Sequence, residues 1–158
     1  MRYLTVFWYA LVVWCCVLTC LVAQLELPRK VMRLDQLEEA KAKAQERGKL
    51  LALLYYDPEA RRREVGETLN LLDMVDGRCV VVGVEKEHLR NLPKELQVGL
   101  NPNLVGGKPP AVAAYTADGL THIASLSSRI VKALGDTAVR DFKRKLKAHL
   151  NESTDSLE

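Results

Sequence analysis

The hydrophobic and polar positions of this chain change rhythm several times, and each rhythm predicts an element. In LDQLEEAKAKAQERGK (34–49), Leu37, Ala40 and Ala44 recur at helical spacing. Asp35 is placed to cap that helix, with Glu38 three residues on in the spacing of a capping box, and Gly48 supplies the stop. Leu50 to Tyr56, LLALLYY, is apolar without alternation, which predicts a strand covered on both faces. Residues 59–75 return to helical spacing, with Val65, Leu69, Leu72 and Val75 on one side. Cys79 to Val84 predicts a second buried strand. A short helix is expected around His88 to Leu96, interrupted by Pro93.

The later chain follows a different order. NPNLVGGKPP (101–110) is a loop by composition. AVAAYT and LTHIASL flank Ala117-Asp118-Gly119, a strand–turn–strand pattern with Asp-Gly at the turn. Residues 136–149 predict a closing helix with Val139, Phe142 and Leu146 on one side and Arg140, Lys143, Arg144 and Lys147 on the other. Residues 151–158, NESTDSLE, read as a disordered polar tail. Two parallel strands joined by a crossover helix, followed by a hairpin, predict an α/β fold: a mixed sheet with helices on both faces, over residues 28–150.

Residues 1–27 are of another kind. LTVFWYALVVWCCVLTCLVA (4–23) is twenty positions without a charge. At ~1.5 Å per residue a helix of that length reaches about 30 Å, the thickness of a bilayer's hydrocarbon core. A retained membrane anchor and a cleaved secretory signal are both open readings, and lipid attachment at Cys20 is a third. The aromatic cluster Phe7, Trp8, Tyr9 and Trp14 favours the anchor, as does Leu21 where a cleavage site wants a small residue. Arg29, Lys30 and Arg33 after the span argue for a cytoplasmic domain. Its place at the extreme N-terminus argues for an exported one, and an extracytoplasmic domain, membrane-anchored or secreted, is the expectation adopted.

Charge and reactive residues narrow the chemistry. The net charge is only +3 and no nucleic-acid motif is present, so nucleic acid is not an expected partner. Three of the four cysteines (Cys15, Cys16, Cys20) lie in the apolar segment, leaving Cys79 alone in the domain with no internal disulfide partner. Its apolar surroundings read as a buried hydrophobic position. His88, His122 and His149 show no metal-ligand spacing, Gly106-Gly107-Lys108 lacks the phosphate-loop pattern, and no nucleophile–base pair is legible. No cofactor and no metal are expected.

PPAVAAYTADG (109–119) carries a resemblance. Together with the order of elements over residues 32–150, it resembles the thioredoxin-like family, whose cis-proline, strand and Asp-Gly hairpin it matches in spacing. The resemblance implies a cis bond at Pro109–Pro110. It also implies that the turn after the first strand should deliver a Cys-x-x-Cys motif to a helix start, where free N–H groups and the helix dipole lower a thiol's pKa. Here Asp57-Pro58-Glu59-Ala60-Arg61-Arg62-Arg63 holds no cysteine, and Glu59 and Arg62 fall at the two cysteine positions. The buried acid that many members carry on the preceding strand is absent, since Leu50 to Leu54 are all apolar. Members of the family hold extended polypeptide beside the cis-proline. Arg61, Arg62 and Arg63 with Pro109 and Pro110 are therefore the candidate binding rim, suited to an acidic peptide or an anionic headgroup. The expected function is a redox-inactive, polypeptide-binding domain; the alternative is a single-thiol oxidoreductase or peroxidase using Cys79.

Overall fold

Leu50–Tyr56 form β1, and every one of the seven residues is buried. The run has no polar position because both its faces and both its edges are occupied. On one edge β2 (Cys79–Glu85) pairs in parallel, from Leu50 opposite Cys79 to Tyr56 opposite Glu85. On the other, β3 (Ala111–Tyr115) pairs antiparallel, with Tyr55 opposite Ala111 and Leu51 opposite Tyr115. β4 (His122–Ser127) completes a four-stranded sheet of order β2-β1-β3-β4. This is the mixed sheet that the resemblance to the thioredoxin-like family implies. The computed structural model describes residues 27–101, 108–118 and 120–155. The apolar segment 4–23, most of the 101–110 loop and Gly119 of the expected turn lie outside the described residues. Among the described residues no helix is long and apolar enough to cross a membrane.

Each face of the sheet builds its own core, because side chains alternate along the strands. One face presents Leu51, Leu53, Val82, Val84, Ala113 and Tyr115. It is covered by α1 (Leu37–Glu46), through Ala40 and Ala44, and by Leu96 and Leu100 of the segment before the loop. The other presents Ala52, Leu54, Val81, Val112 and Ala114 beneath α2 (Arg62–Val75). Leu71, Leu72 and Val75 of α2 pack there, beside Phe142 and Leu146 of the last helix. A fully buried leucine is worth about 1.5–3 kcal/mol, so these two layers supply most of the fold's stabilisation.

Several expectations are corrected by local hydrogen bonding. The capping box at Asp35 and Glu38 does not form. A 3-10 turn (Leu34–Gln36) precedes α1, and the Arg33 N–H donates instead to Gln36 Oε1 at 3.1 Å. Gly48 does end the helix, with φ of 57°. The second helix begins at Arg62 rather than 59, and its buried side is turned: Thr68 and Leu71 are covered while Leu69 is exposed. Pro93 splits the expected 88–96 helix into a 3-10 turn (Lys86–Asn91) and α3 (Lys94–Gln97), with another 3-10 turn at Val98–Leu100.

α4 (Ser128–Leu134) was not anticipated, although Ser127 caps it by accepting the Ile130 N–H at 3.3 Å and Gly135 ends it with φ of 59°. The closing helix α5 runs Asp136–Asp155, so five residues of the expected disordered tail are helical.

The approach to the 101–110 loop is held by a small polar network. The Tyr115 hydroxyl donates to the Leu96 carbonyl, and the Ser125 hydroxyl donates to the Gly99 carbonyl. His122 Nε2 lies 2.7 Å from Ser125 Oγ, and its ring meets Tyr115 edge-on at 5.7 Å. Gly99 sits so close to this network that an added Cβ would lie 2.5 Å from the Tyr115 hydroxyl and 2.6 Å from His122 Cδ2. Gly66, in exposed α2, has nothing within 4 Å of an added Cβ. Chemical denaturation should therefore show opposite signs for the same substitution. Gly99→Ala should lose about 1–3 kcal/mol through overpacking, and Gly66→Ala should gain about 0.5–1 kcal/mol from helix propensity. Equal effects at the two sites would contradict this packing.

Candidate functional site

The carboxyl end of β1 is where the chain leaves the core. Asp57 turns it: its Oδ1 accepts the Glu59 N–H at 3.0 Å, and its carbonyl accepts the Ala60 N–H at 3.1 Å. This side-chain turn is the reason the helix starts late, because residues 57–60 are held in a non-helical shape. Asp57 Oδ2 also pairs with Lys86 Nζ at 3.2 Å, tying the turn to the end of β2. Glu59 is exposed in the turn, outside the helix, and Arg62 is its first residue. The two positions expected to match lost cysteines thus have different settings.

The Pro109–Pro110 bond is cis. Pro110 is buried, and its carbonyl accepts the Ser128 N–H at 3.2 Å, joining it to the start of α4. The register that sets Ala111 opposite Tyr55 carries Pro110 alongside Tyr56, so the cis bond and the turn occupy the same end of the sheet. Strand pairing sets this arrangement.

Arg61, Arg62 and Arg63 are all exposed at the start of α2. Positive charge there is disfavoured by ~0.3–1 kcal/mol per residue near the positive end of the helix dipole. Two carboxylates offset it. Glu64 Oε2 accepts the Arg61 N–H at 3.4 Å, and Glu67 Oε1 pairs with Arg63 Nε at 3.3 Å. Glu67 is also paired with Lys132 of α4 at 2.5 Å, and that hydrogen bond is the main cause holding its carboxyl below the ordinary range.

Two cavities lie at this end of the sheet, and Arg61, Arg62 and Arg63 line neither of them. One, of about 420 Å³, lies between the turn and the end of β2, lined by Asp57, Pro58, Glu59, Glu85, Lys86, Glu87 and Arg90. The other, of about 350 Å³, includes Met32, Leu34, Asp35, Tyr56, Glu85 and His88. Glu85 belongs to both: Oε1 accepts from the Tyr56 hydroxyl at 3.1 Å, and Oε2 lies 3.6 Å from His88 Nδ1. Burial, then the Glu85 charge, pushes the Tyr56 phenol up to about 12. The sequence reading overlooked Tyr56, Glu85 and His88. Their signal was present, since carboxyl ends of parallel strands gather polar groups and Glu85 is the first charge after VVVGV.

His122 and Ser125, which the sequence did not connect, are brought together three residues apart on β4. The Ser125 hydroxyl proton is engaged by the Gly99 carbonyl, so this pair holds structure together and does not present a nucleophile. Among the described residues no cluster of three or more His, Cys, Asp or Glu side chains could hold a metal ion.

Cys79 is buried and pairs with Leu50, at the opposite end of β1 from the turn. Six residue steps along a strand separate the two ends, about 20 Å at ~3.3 Å per residue. Burial pushes the thiol up to about 12, which favours its protonated form at neutral pH. The unfolded chain would release this proton first, near the ordinary value of 9.0. The associated stability is fully present below that pH and is lost as pH rises toward the folded value. Tyr56 and Tyr115, both raised chiefly by burial, act in the same direction. Denaturation midpoints at about pH 7 and about pH 10 should therefore fall less in Cys79→Ala than in the unsubstituted chain. An identical fall would place the thiol in water.

No family model matches this chain, and no curated protein matches it. Among solved structures it is similar to the disulphide isomerase from Xylella fastidiosa Temecula1, with 16% identity over 79% of this chain and 98% of that one, at a TM-score of 0.48.

Proposed function

We propose that this domain binds extended polypeptide at the carboxyl end of β1 and performs no thiol–disulfide chemistry. The observation that carries the reading is the separation of thiol from site. The turn beside the cis-proline holds Asp57 to Arg63 without a cysteine, while Cys79 is buried at the other end of the strand. Disulfide exchange requires an accessible thiolate that attacks a disulfide sulfur, and neither location offers one. What remains is a thioredoxin-like surface whose recognition role is kept without its reaction. Arg61, Arg62 and Arg63 form the rim on the α2 side, and Pro109 and Pro110 form it on the β3 side. Three exposed cations favour a partner with carboxylates in an extended segment. Residues 4–23 hold the domain at a membrane or send it out of the cytoplasm, and the polypeptide partner is met there.

Two measurements on the purified full-length protein test this. Insulin disulfides should not be reduced in the presence of a thiol reductant, and Cys79→Ser should change nothing. Reductase activity that disappears in Cys79→Ser would overturn the redox-inactive reading. Capture of a glutamate-rich extended peptide should weaken when Arg61, Arg62 and Arg63 are replaced by glutamine. It should weaken again toward about 1 M salt, where screening shortens to about 3 Å. Peptide capture unchanged by the triple substitution would remove the rim as the binding surface.

A further inference from the structure

The outer surface of α5 has a charge imbalance that neither the core nor the turn after β1 uses. Residues 128–150, spanning α4 and most of α5, contain seven cations and two carboxylates, whereas residues 28–127 contain fifteen and fourteen. The three carboxylates of the last eight residues lie beyond Leu150. Phe142 and Leu146 fix the rotation of α5 by packing into the core, which leaves Arg140, Lys143, Arg144 and Lys147 exposed along its other side. Among the described residues, Arg144 is the one of these four in an ion pair, with Asp141 at 3.0 Å. At the corner between α4 and α5, Leu134 is 63% exposed.

Cations alone would suit any polyanion. A large exposed apolar side chain at the corner that leads into this helix suits a surface that is anionic outside and apolar just beneath. The route of the chain points the same way. Leu27 and Val31 pack against the same core that α5 covers, so the chain enters the domain on this side of the sheet. The apolar span ends at Ala23, four Cα steps before Leu27 and so at most about 14 Å away.

We propose that the exposed side of α5, with the Leu134 corner, lies on an anionic lipid bilayer. The inference rests on the membrane-tether part of the function proposed above. It orients the domain so that one helical layer faces lipid while the carboxyl end of β1 lies at the rim of the contact.

Full-length protein in nanodiscs separates the two ideas. Retention on neutral phosphatidylcholine discs reports the tether, and acetylation of individual lysines, read by mass spectrometry, reports the contact. On phosphatidylserine-rich discs, Lys143 and Lys147 should label at least roughly threefold more slowly than on neutral discs. Lys94, exposed on the opposite layer, should label equally on both. Protection should vanish near about 1 M salt. Arg140→Glu with Arg144→Glu should restore Lys147 labelling without releasing the protein. Equal labelling on the two discs, with the protein retained, would overturn the lipid contact and leave the tether standing. Loss of the protein from neutral discs would remove the tether, and lysine protection on anionic discs would then decide the contact alone. Protection by duplex DNA but not by anionic lipid would assign the surface to nucleic acid and overturn the proposal.

Discussion

Everything in this domain is referred to one central strand. β1 has no exposed residue, because it is paired on both edges and covered on both faces. In that position its register is strongly specified: a slip of one residue would exchange the Leu51–Leu53–Tyr55 set with the Leu50–Ala52–Leu54 set and misfit both cores. The two ladders then fix what stands at each end. Tyr55 opposite Ala111 sets the cis-proline next to the Asp57 turn, and Leu50 opposite Cys79 sends the thiol to the far end.

That geometry decides the chemistry. A reactive thiol needs exposure and a nearby positive potential, and the place in this fold that offers both is the start of α2. The residues there are Arg61, Arg62 and Arg63, which add positive potential but have no nucleophile to activate. Cys79 has the opposite fault, being a nucleophile in an apolar strand. The groups that do gather at the carboxyl ends of β1 and β2 are Asp57, Lys86, Glu85, Tyr56 and His88, and their mutual pairing makes a polar floor beside the turn. Under the proposed function, this floor takes part in recognition.

Much of the fold was legible because the signals were strong and local. LLALLYY, seven apolar or aromatic residues without alternation, reads as a strand buried on both faces. The strand–turn–strand pattern after Pro110 predicts the antiparallel β3–β4 pair, and the cis bond follows from the resemblance to the thioredoxin-like family. The α1 stop at Gly48 needed one residue. The misses have equally local causes. The second helix was expected from residue 59, but the Asp57 side chain closes a turn with the Glu59 N–H and postpones the helix to Arg62. The stripe Val65, Leu69, Leu72, Val75 was one of two apolar stripes on α2, and packing beside α4 and α5 selected Thr68 and Leu71 over Leu69. α4 was overlooked despite Ser127 and Gly135, because its seven residues are too short for helical periodicity to stand out. At the site, the sequence marked the arginines by their repetition. It did not mark Tyr56, Glu85 and His88, whose association depends on two parallel strands ending together.

The central claim is that recognition occurs at the carboxyl end of β1, between the Asp57 turn and the cis-proline. Titration of the isotope-labelled protein with a glutamate-rich extended peptide, followed by backbone amide chemical shifts, maps this directly. The account predicts shifts concentrated at Tyr56 to Arg63 and around Lys108 to Ala111, with Cys79 and its neighbours unmoved. Shifts centred instead on the amino-terminal end of β1, or on α1, would contradict it.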